Sequence, residues 1–159
     1  MKLSDFGLAC HYKPEQPPTQ KCGSVLAVAP EILLREHYGK EVDMWSLGVI
    51  LHELLSSTLP FYADNNKRYM ENIVRQKLTL EGERWSSLSD DAKDLVRCLL
   101  CKNPESRPDA TEVLRHRWLT EADTTDSNKD SIAKRIDLSL SAETVKEDDR
   151  GSFGSTMTE

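Results

Sequence analysis

Asp43-Met44-Trp45-Ser46-Leu47-Gly48-Val49-Ile50-Leu51-His52-Glu53-Leu54-Leu55 decides the fold class of this chain. Its apolar residues fall on nearly every side of a helical wheel. A membrane span needs about 20 apolar residues; this run is shorter and holds His52 and Glu53. A helix that is apolar all round and too short for a bilayer reads as a central, buried one.

The sequence on either side is mainly helical. Upstream, Leu3 reads as the end of a short strand running into Asp5-Phe6-Gly7. Residues 10–28, with Pro14, Pro17, Pro18 and Gly23, read as loop. Pro30 suits the first position of a helical turn. Downstream, Ser56 to Asn66 is a connection holding Pro60, and 67–76 form a short amphipathic helix through Tyr69, Met70, Ile73 and Val74. Ser89 is a good N-cap. Ala92, Leu95, Val96, Leu99 and Leu100 follow it at i, i+3, i+4, i+7 and i+8, one helical stripe. Two prolines interrupt Lys102 to Pro108. Asp109 and Glu112 then make an acidic form of the capping box for a helix through Val113, Leu114 and Trp118.

Composition narrows the function. The 159 residues are 38% hydrophobic and 30% charged, with a formal net charge of −6. Residues 121–159 hold 10 acidic and 5 basic residues, so most of the negative charge lies there. A near-neutral body with an acidic tail argues against nucleic acid, which needs a basic face. No membrane association is expected either, since no apolar run is long enough. Met1 to Asp5 has no apolar signal core. The four cysteines are too few for a disulfide scaffold and are expected to be reduced thiols, in the cytoplasm or nucleus. The tail has 11 Ser or Thr and one aromatic, Phe153, and is expected to be mostly disordered, with weak helical character only at 132–140. It is either plain solvated chain or a cluster of phosphorylation sites.

Four motifs occur in a fixed order: Asp5-Phe6-Gly7, Ala29-Pro30-Glu31, Asp43-Met44-Trp45-Ser46-Leu47-Gly48 and Asn103-Pro104-Glu105-Ser106-Arg107-Pro108. Any one alone is weak. Together, over residues 1–120, they resemble the second half of a eukaryotic-type Ser/Thr protein kinase domain. Trp85 to Arg97 and Leu114 to Leu119 are most similar to the calcium/calmodulin-dependent group, including kinases with their own calmodulin-like domain, although Arg117 stands where that group usually has proline. The fold this implies is the distal, mainly α part of the C-terminal lobe of an α+β fold, with 1–120 as partial kinase domain and 121–159 as tail.

The resemblance assigns roles. Asp5 would hold Mg²⁺ against the ATP phosphates, Phe6 would pack behind it, and Gly7 would let the loop turn. Residues 8–28 would be the activation segment, with Thr19 near the usual site of an upstream activating kinase. Ser24 would touch the catalytic aspartate. Ala29, Pro30 and Glu31 would end the segment, Glu31 pairing with a buried Arg107. Asp43, with Trp45 and Gly48 on the same helix, would accept hydrogen bonds from the catalytic loop, and Glu53 would read a basic residue in a protein substrate. Gly23-Ser24-Val25-Leu26-Ala27-Val28 departs from the family's Gly-Thr-Pro-x-Tyr by losing the proline and the aromatic, so for the residue after the phosphoacceptor either the specificity is unusual or selection on that pocket has relaxed.

The resemblance also implies what the 159 residues do not hold. No Gly-x-Gly-x-x-Gly and no His-Arg-Asp occurs in them. In this family those motifs, the strand lysine, its helix glutamate and the second Mg²⁺ ligand all precede Asp5. The expectation is a C-terminal fragment that is inactive alone and binds neither ATP nor Mg²⁺ tightly; the alternative is a non-catalytic, kinase-derived interaction module or a pseudogene product. A face of the central helix bearing Val49, Ile50 and Leu54 would then lack its neighbour. No calcium-binding loop pattern is present. Cys98 and Cys101, with Cys10 and Cys22, have the wrong spacing for a zinc ribbon and read as buried helix thiols. His11, His37, His52 and His116 read as structural or surface residues.

Overall fold

The computed structural model describes residues 5–20 and 22–122. Among the described residues seven helices follow one another: α1 (Pro30–Leu34), α2 (Glu41–Ser56), α3 (Asn66–Arg75), α4 (Glu83–Ser86), α5 (Asp90–Leu99), α6 (Ala110–Leu114) and α7 (Arg117–Ala122), with a 3-10 turn at Pro104–Ser106 between α5 and α6. No strand occurs among the described residues. The strand end at Leu3 and most of the acidic tail lie outside them. Glu121 and Ala122, assigned to the tail by composition, instead finish α7.

The 16 residues of α2 make it the axis of the body, about 24 Å long. Glu41 and Asp43 in its first turn complement the helix dipole. Ser57 stops it in a left-handed conformation, its N–H donating to the Glu53 carbonyl at 2.6 Å. One side of α2 is sealed. Trp45 is fully buried and stacks on Phe61, ring centroids 5.8 Å apart and planes within 4°. Gly48 lets α5 approach closely: a β-carbon there would stand 2.8 Å from Leu99 Cβ. Val49, Tyr69, Ile73, Trp85, Val96 and Leu100 complete this core with Val28, Ala29 and Ile32.

The capping residues behave as their chemistry dictates. Asn65 Oδ1 accepts from the Arg68 N–H at 2.9 Å and starts α3. Ser89 Oγ accepts from the Ala92 N–H and starts α5, whose whole stripe is dry. Asp109 and Glu112 exchange two side-chain to backbone bonds of 2.8 Å, a complete capping box.

Four expectations need correction. The helix through Val113, Leu114 and Trp118 is two helices. His116 Nδ1 accepts from the Trp118 N–H at 3.2 Å and its carbonyl accepts from Leu119 and Thr120, so the imidazole starts α7 afresh. Leu114 therefore points outward, 72% exposed, while Val113, Trp118 and Leu119 pack on Leu95 and Leu99. The central helix is not buried all round: Ile50 is 46% and Leu54 38% exposed, on the same side as Asp43. Val49, expected on that uncovered face, is buried. Finally, Cys98 and Cys101 are half-buried rather than buried, because Leu95, Leu99 and Leu100 take the core side.

Candidate functional site

The segment from Asp5 to Glu31 crosses the surface and is then pinned to the helical body by side chains that reach its backbone. The Ser46 hydroxyl, on α2, lies 2.8 Å from the Ala27 carbonyl and 3.2 Å from that of Val42. Tyr69, on α3, donates its hydroxyl to the Leu26 carbonyl at 2.9 Å. Burial and the nearby Glu53 carboxylate push the Tyr69 phenol up to about 12, so it stays a proton donor at any physiological pH. Val28 and Ala29 then enter the core and Pro30 begins α1.

Glu31 is the deepest anchor. Its carboxylate meets Arg107 in a fork: Nη1 donates to Oε1 at 2.8 Å and Nη2 to Oε2 at 3.2 Å. The side chains are 2% and 0% exposed. Arg107 also donates from Nε to the Cys101 carbonyl at 3.1 Å and from Nη1 to the Glu41 carbonyl at 2.6 Å. Its guanidinium carbon lies 5.2 Å from the centre of the Trp45 ring. A planar five-donor group satisfies a carboxylate, two carbonyls and an aromatic face at once, which a lysine ammonium cannot do. Arg107 reaches this place because Asn103 accepts from the Glu105 N–H and Pro104 fixes the turn. One residue thus ties together α1, α2 and the turn after α5.

The remaining assigned residues lie on the surface. Asp5 has φ +61° and its Oδ1 accepts from the Gly7 N–H at 3.3 Å, which shapes the turn. Phe6 is 71% exposed, so its ring does not pack behind Asp5. Thr19, Ser24, Asp43 and Glu53 are exposed, and Asp43 faces outward beside Ile50 and Leu54. The structure brings together Ala29, Pro30, Glu31, Trp45, Gly48 and Arg107; it leaves Asp5, Thr19, Ser24, Asp43 and Glu53 spread along the face that solvent reaches.

The fit to Mg²⁺ and ATP is correspondingly partial. Magnesium is usually held by one or two carboxylates together with substrate phosphates and water. Asp5 offers one carboxylate, and no group of three potential ligands occurs among the described residues. The described residues would offer Mg²⁺ that one carboxylate and do not by themselves make a site. The cysteines likewise form no metal cluster.

Three polar devices were not legible in the sequence. His52 is buried; its Nδ1–H donates to the Thr58 carbonyl at 2.8 Å, its ring lies 4.9 Å from that of Trp85, and burial pulls its pKa down. The buried Ser56 hydroxyl stands 2.8 Å from the His52 carbonyl and 2.9 Å from the Thr58 hydroxyl. Tyr38 donates to the Gln20 carbonyl at 2.6 Å and touches Cys22. Each joins residues whose pairing depends on turns that no periodicity announces.

Comparison with known proteins agrees with this geometry. The family described as protein kinase domain matches residues 1–119. The chain is 46% identical over 121 residues to calcium-dependent protein kinase SK5 of Glycine max, covering 76% of this chain and 24% of the relative. It is 46% identical over 121 residues to calcium-dependent protein kinase 24 of Oryza sativa subsp. japonica, covering 76% and 23%. With calcium-dependent protein kinase 21 of Arabidopsis thaliana the identity is 36% over 162 residues, covering 94% and 30%. The chain thus spans roughly a quarter of the length of the curated relatives it matches. With a pinned segment end, a buried Glu31–Arg107 fork and this pattern of relatives, the chain belongs to the protein kinase family, with a Ser/Thr-type kinase domain near the calcium-dependent group.

Proposed function

We propose that residues 1–120 are the distal helical part of a Ser/Thr protein kinase domain, which transfers phosphate from ATP to protein Ser or Thr when the Gly-rich loop and catalytic loop are supplied. The observation that carries this reading is the Glu31–Arg107 fork, which fixes the end of an exposed loop against a rigid body. Phosphoryl transfer depends on positioning and charge neutralisation, and a substrate platform must be held still. The Ser46 and Tyr69 hydroxyls at the Ala27 and Leu26 carbonyls hold the last stretch of that platform. Asp5 is its Mg²⁺ ligand, Ser24 and Glu53 face the protein substrate, and Thr19, exposed on the loop, is the site for an activating kinase. When bound, Mg²⁺-ATP supplies the phosphoryl group; this chain's share is to position and to carry charge.

Alone, the 159 residues are expected to be inactive, because they contain neither a Gly-x-Gly-x-x-Gly nor a His-Arg-Asp. A second reading, a non-catalytic kinase-derived module, draws on the core that residues 28–113 build from their own side chains. One assay separates the two. Labelled ATP and a Ser/Thr peptide are given to the chain alone, and to the chain joined behind the preceding kinase segment of one of the relatives above. The kinase reading expects no transfer by the former, and transfer by the latter that Asp5→Asn abolishes. A joined protein that folds cooperatively and transfers nothing would favour the module.

A further inference from the structure

The loop leading into α1 carries two cysteines, Cys10 and Cys22, that the kinase reading does not use. Both arms of this loop come to one place. On the later arm, the Tyr38 hydroxyl donates to the Gln20 carbonyl at 2.6 Å and stands 3.9 Å from Cys22 Sγ. On the earlier arm, Tyr12 lies over Gly39: a β-carbon built there would be 3.1 Å from the Tyr12 hydroxyl and 3.3 Å from its ring. Tyr38 and Gly39 are consecutive, so Tyr12 and Cys22 are held against the same dipeptide, with Cys10 two residues from Tyr12. The electrostatics agrees. Burial pushes the Tyr38 phenol up to about 12, and a hydrogen bond with Cys22 and the thiolate charges of Cys22 and Cys10 add to that rise, so both sulfurs act on one phenol. Cys10 is exposed and Cys22 half-buried.

We propose that Cys10 and Cys22 form a reversible disulfide that closes this loop, with Tyr38 and Gly39 as the post that brings its two arms together. The oxidant is a low-molecular-weight disulfide such as glutathione disulfide. The exposed Cys10 gives up its proton to water, and its thiolate attacks one sulfur of the oxidant. A mixed disulfide forms and one glutathione thiolate leaves. Cys22, deprotonated in turn, attacks the Cys10 sulfur and expels the second glutathione. Two electrons pass from the protein to the oxidant, and the products are one protein disulfide and two glutathiones. The ring so closed contains Thr19, so oxidation restrains the segment that carries it. Cys98 and Cys101 are a poorer pair: burial and the Asp94 carboxylate push the Cys98 thiol up, which lowers its thiolate fraction.

The test uses the full 159-residue chain in glutathione redox buffers, with free thiols then blocked and the protein cut by trypsin. Lys13 precedes Pro14 and is not cleaved, so Cys10 lies in peptide 3–21 and Cys22 in peptide 22–35. The expected principal product is 3–21 linked to 22–35. Cys10→Ser or Cys22→Ser should abolish it, and the Cys98→Ser/Cys101→Ser double variant should retain it. Tyr38→Phe should lower the effective concentration of the pair about five-fold, the factor that one neutral hydrogen bond supports. Denaturing urea should lower it roughly ten-fold, which is about 30 mV for a two-electron couple. Equal effective concentrations in folded and unfolded chain would overturn the proposal. So would separate glutathione adducts, or a Cys98–Cys101 disulfide, as the principal product.

Discussion

Replacing Arg107 by alanine should be among the most damaging single changes in this body. The substitution strands the Glu31 carboxylate, whose side chain is 2% exposed. Breaking a buried pair from one side costs about 3–5 kcal/mol. It also takes a donor from the Cys101 and Glu41 carbonyls and a cation from the Trp45 face. Those losses overlap with the first and are not summed. Net domain stability is about 5–15 kcal/mol, so the variant should lose a large part of it. Arg115→Ala, at an exposed position, is the control and should cost within about 0.5 kcal/mol. Urea titration followed by far-UV circular dichroism reads both. The double variant Glu31→Met/Arg107→Met tests the cause. It removes both charges, so it should recover part of the loss, but not all, because the two carbonyls remain without their donor. Equal midpoint shifts for Arg107→Ala and Arg115→Ala would refute the reasoning, as would a double variant no better than the sum of its single changes.

Gly48→Ala should destabilise by about 1–3 kcal/mol through overpacking, since its new methyl would meet Leu99 Cβ at 2.8 Å and Leu100 at 3.0 Å; an unchanged melting temperature would show that α5 can give way. His52 should make the fold acid-sensitive. Burial lowers its pKa from an ordinary 6.5, so both states are neutral above that value, and below it the unfolded chain takes up a proton that the folded one refuses. Stability should therefore fall as pH drops from 6.5 through the folded-state pKa, by at most about 1.4 kcal/mol per unit, and the His52→Gln variant should show a flatter dependence. Ile50→Lys with Leu54→Glu should reduce binding of a hydrophobic dye without lowering the melting temperature, because both positions are on the open side of α2; a large drop in stability would place them in the core.

Helices whose cause is local were legible in the sequence. Ser89, Asp109 and Glu112 act through bonds to backbone three residues away, so spacing alone finds them. The α5 stripe is legible for the same reason: its neighbours at i+3 and i+4 share one face whatever surrounds the helix. His116 escaped because imidazole is not among the usual caps, and the bond to the Trp118 N–H exists only when its ring turns back. α4 escaped because four residues are too few to show a period; Trp85 is held by His52, more than thirty positions away. The Glu31–Arg107 pair lies 76 positions apart. No local rule joins them, and only the resemblance to a known domain did. Phe6 went the other way: the resemblance implied a packed ring, and 71% of it is exposed.

The two sides of α2 decide how much the body can do unaided. With Val49, Ile50 and Leu54 all uncovered, and about 1.5–3 kcal/mol forgone for each, little stability would remain. The structure changes that arithmetic. Val49 is 3% exposed, and Ile50 and Leu54 keep more than half of their surface covered. The forgone burial is then nearer 2 kcal/mol in total, which a body with Trp45, Phe61, Leu95 and Leu99 fully or almost fully buried can bear. Asp43 sets the character of the same face. A carboxylate beside two half-wet aliphatic side chains suits a neighbour that brings backbone N–H groups as well as apolar surface, whereas a purely apolar neighbour would bury that charge without a partner. The sealed side of α2 therefore accounts for stability, and the open side, with Ile50, Leu54 and the Asp43 carboxylate, is the face left to receive such a neighbour.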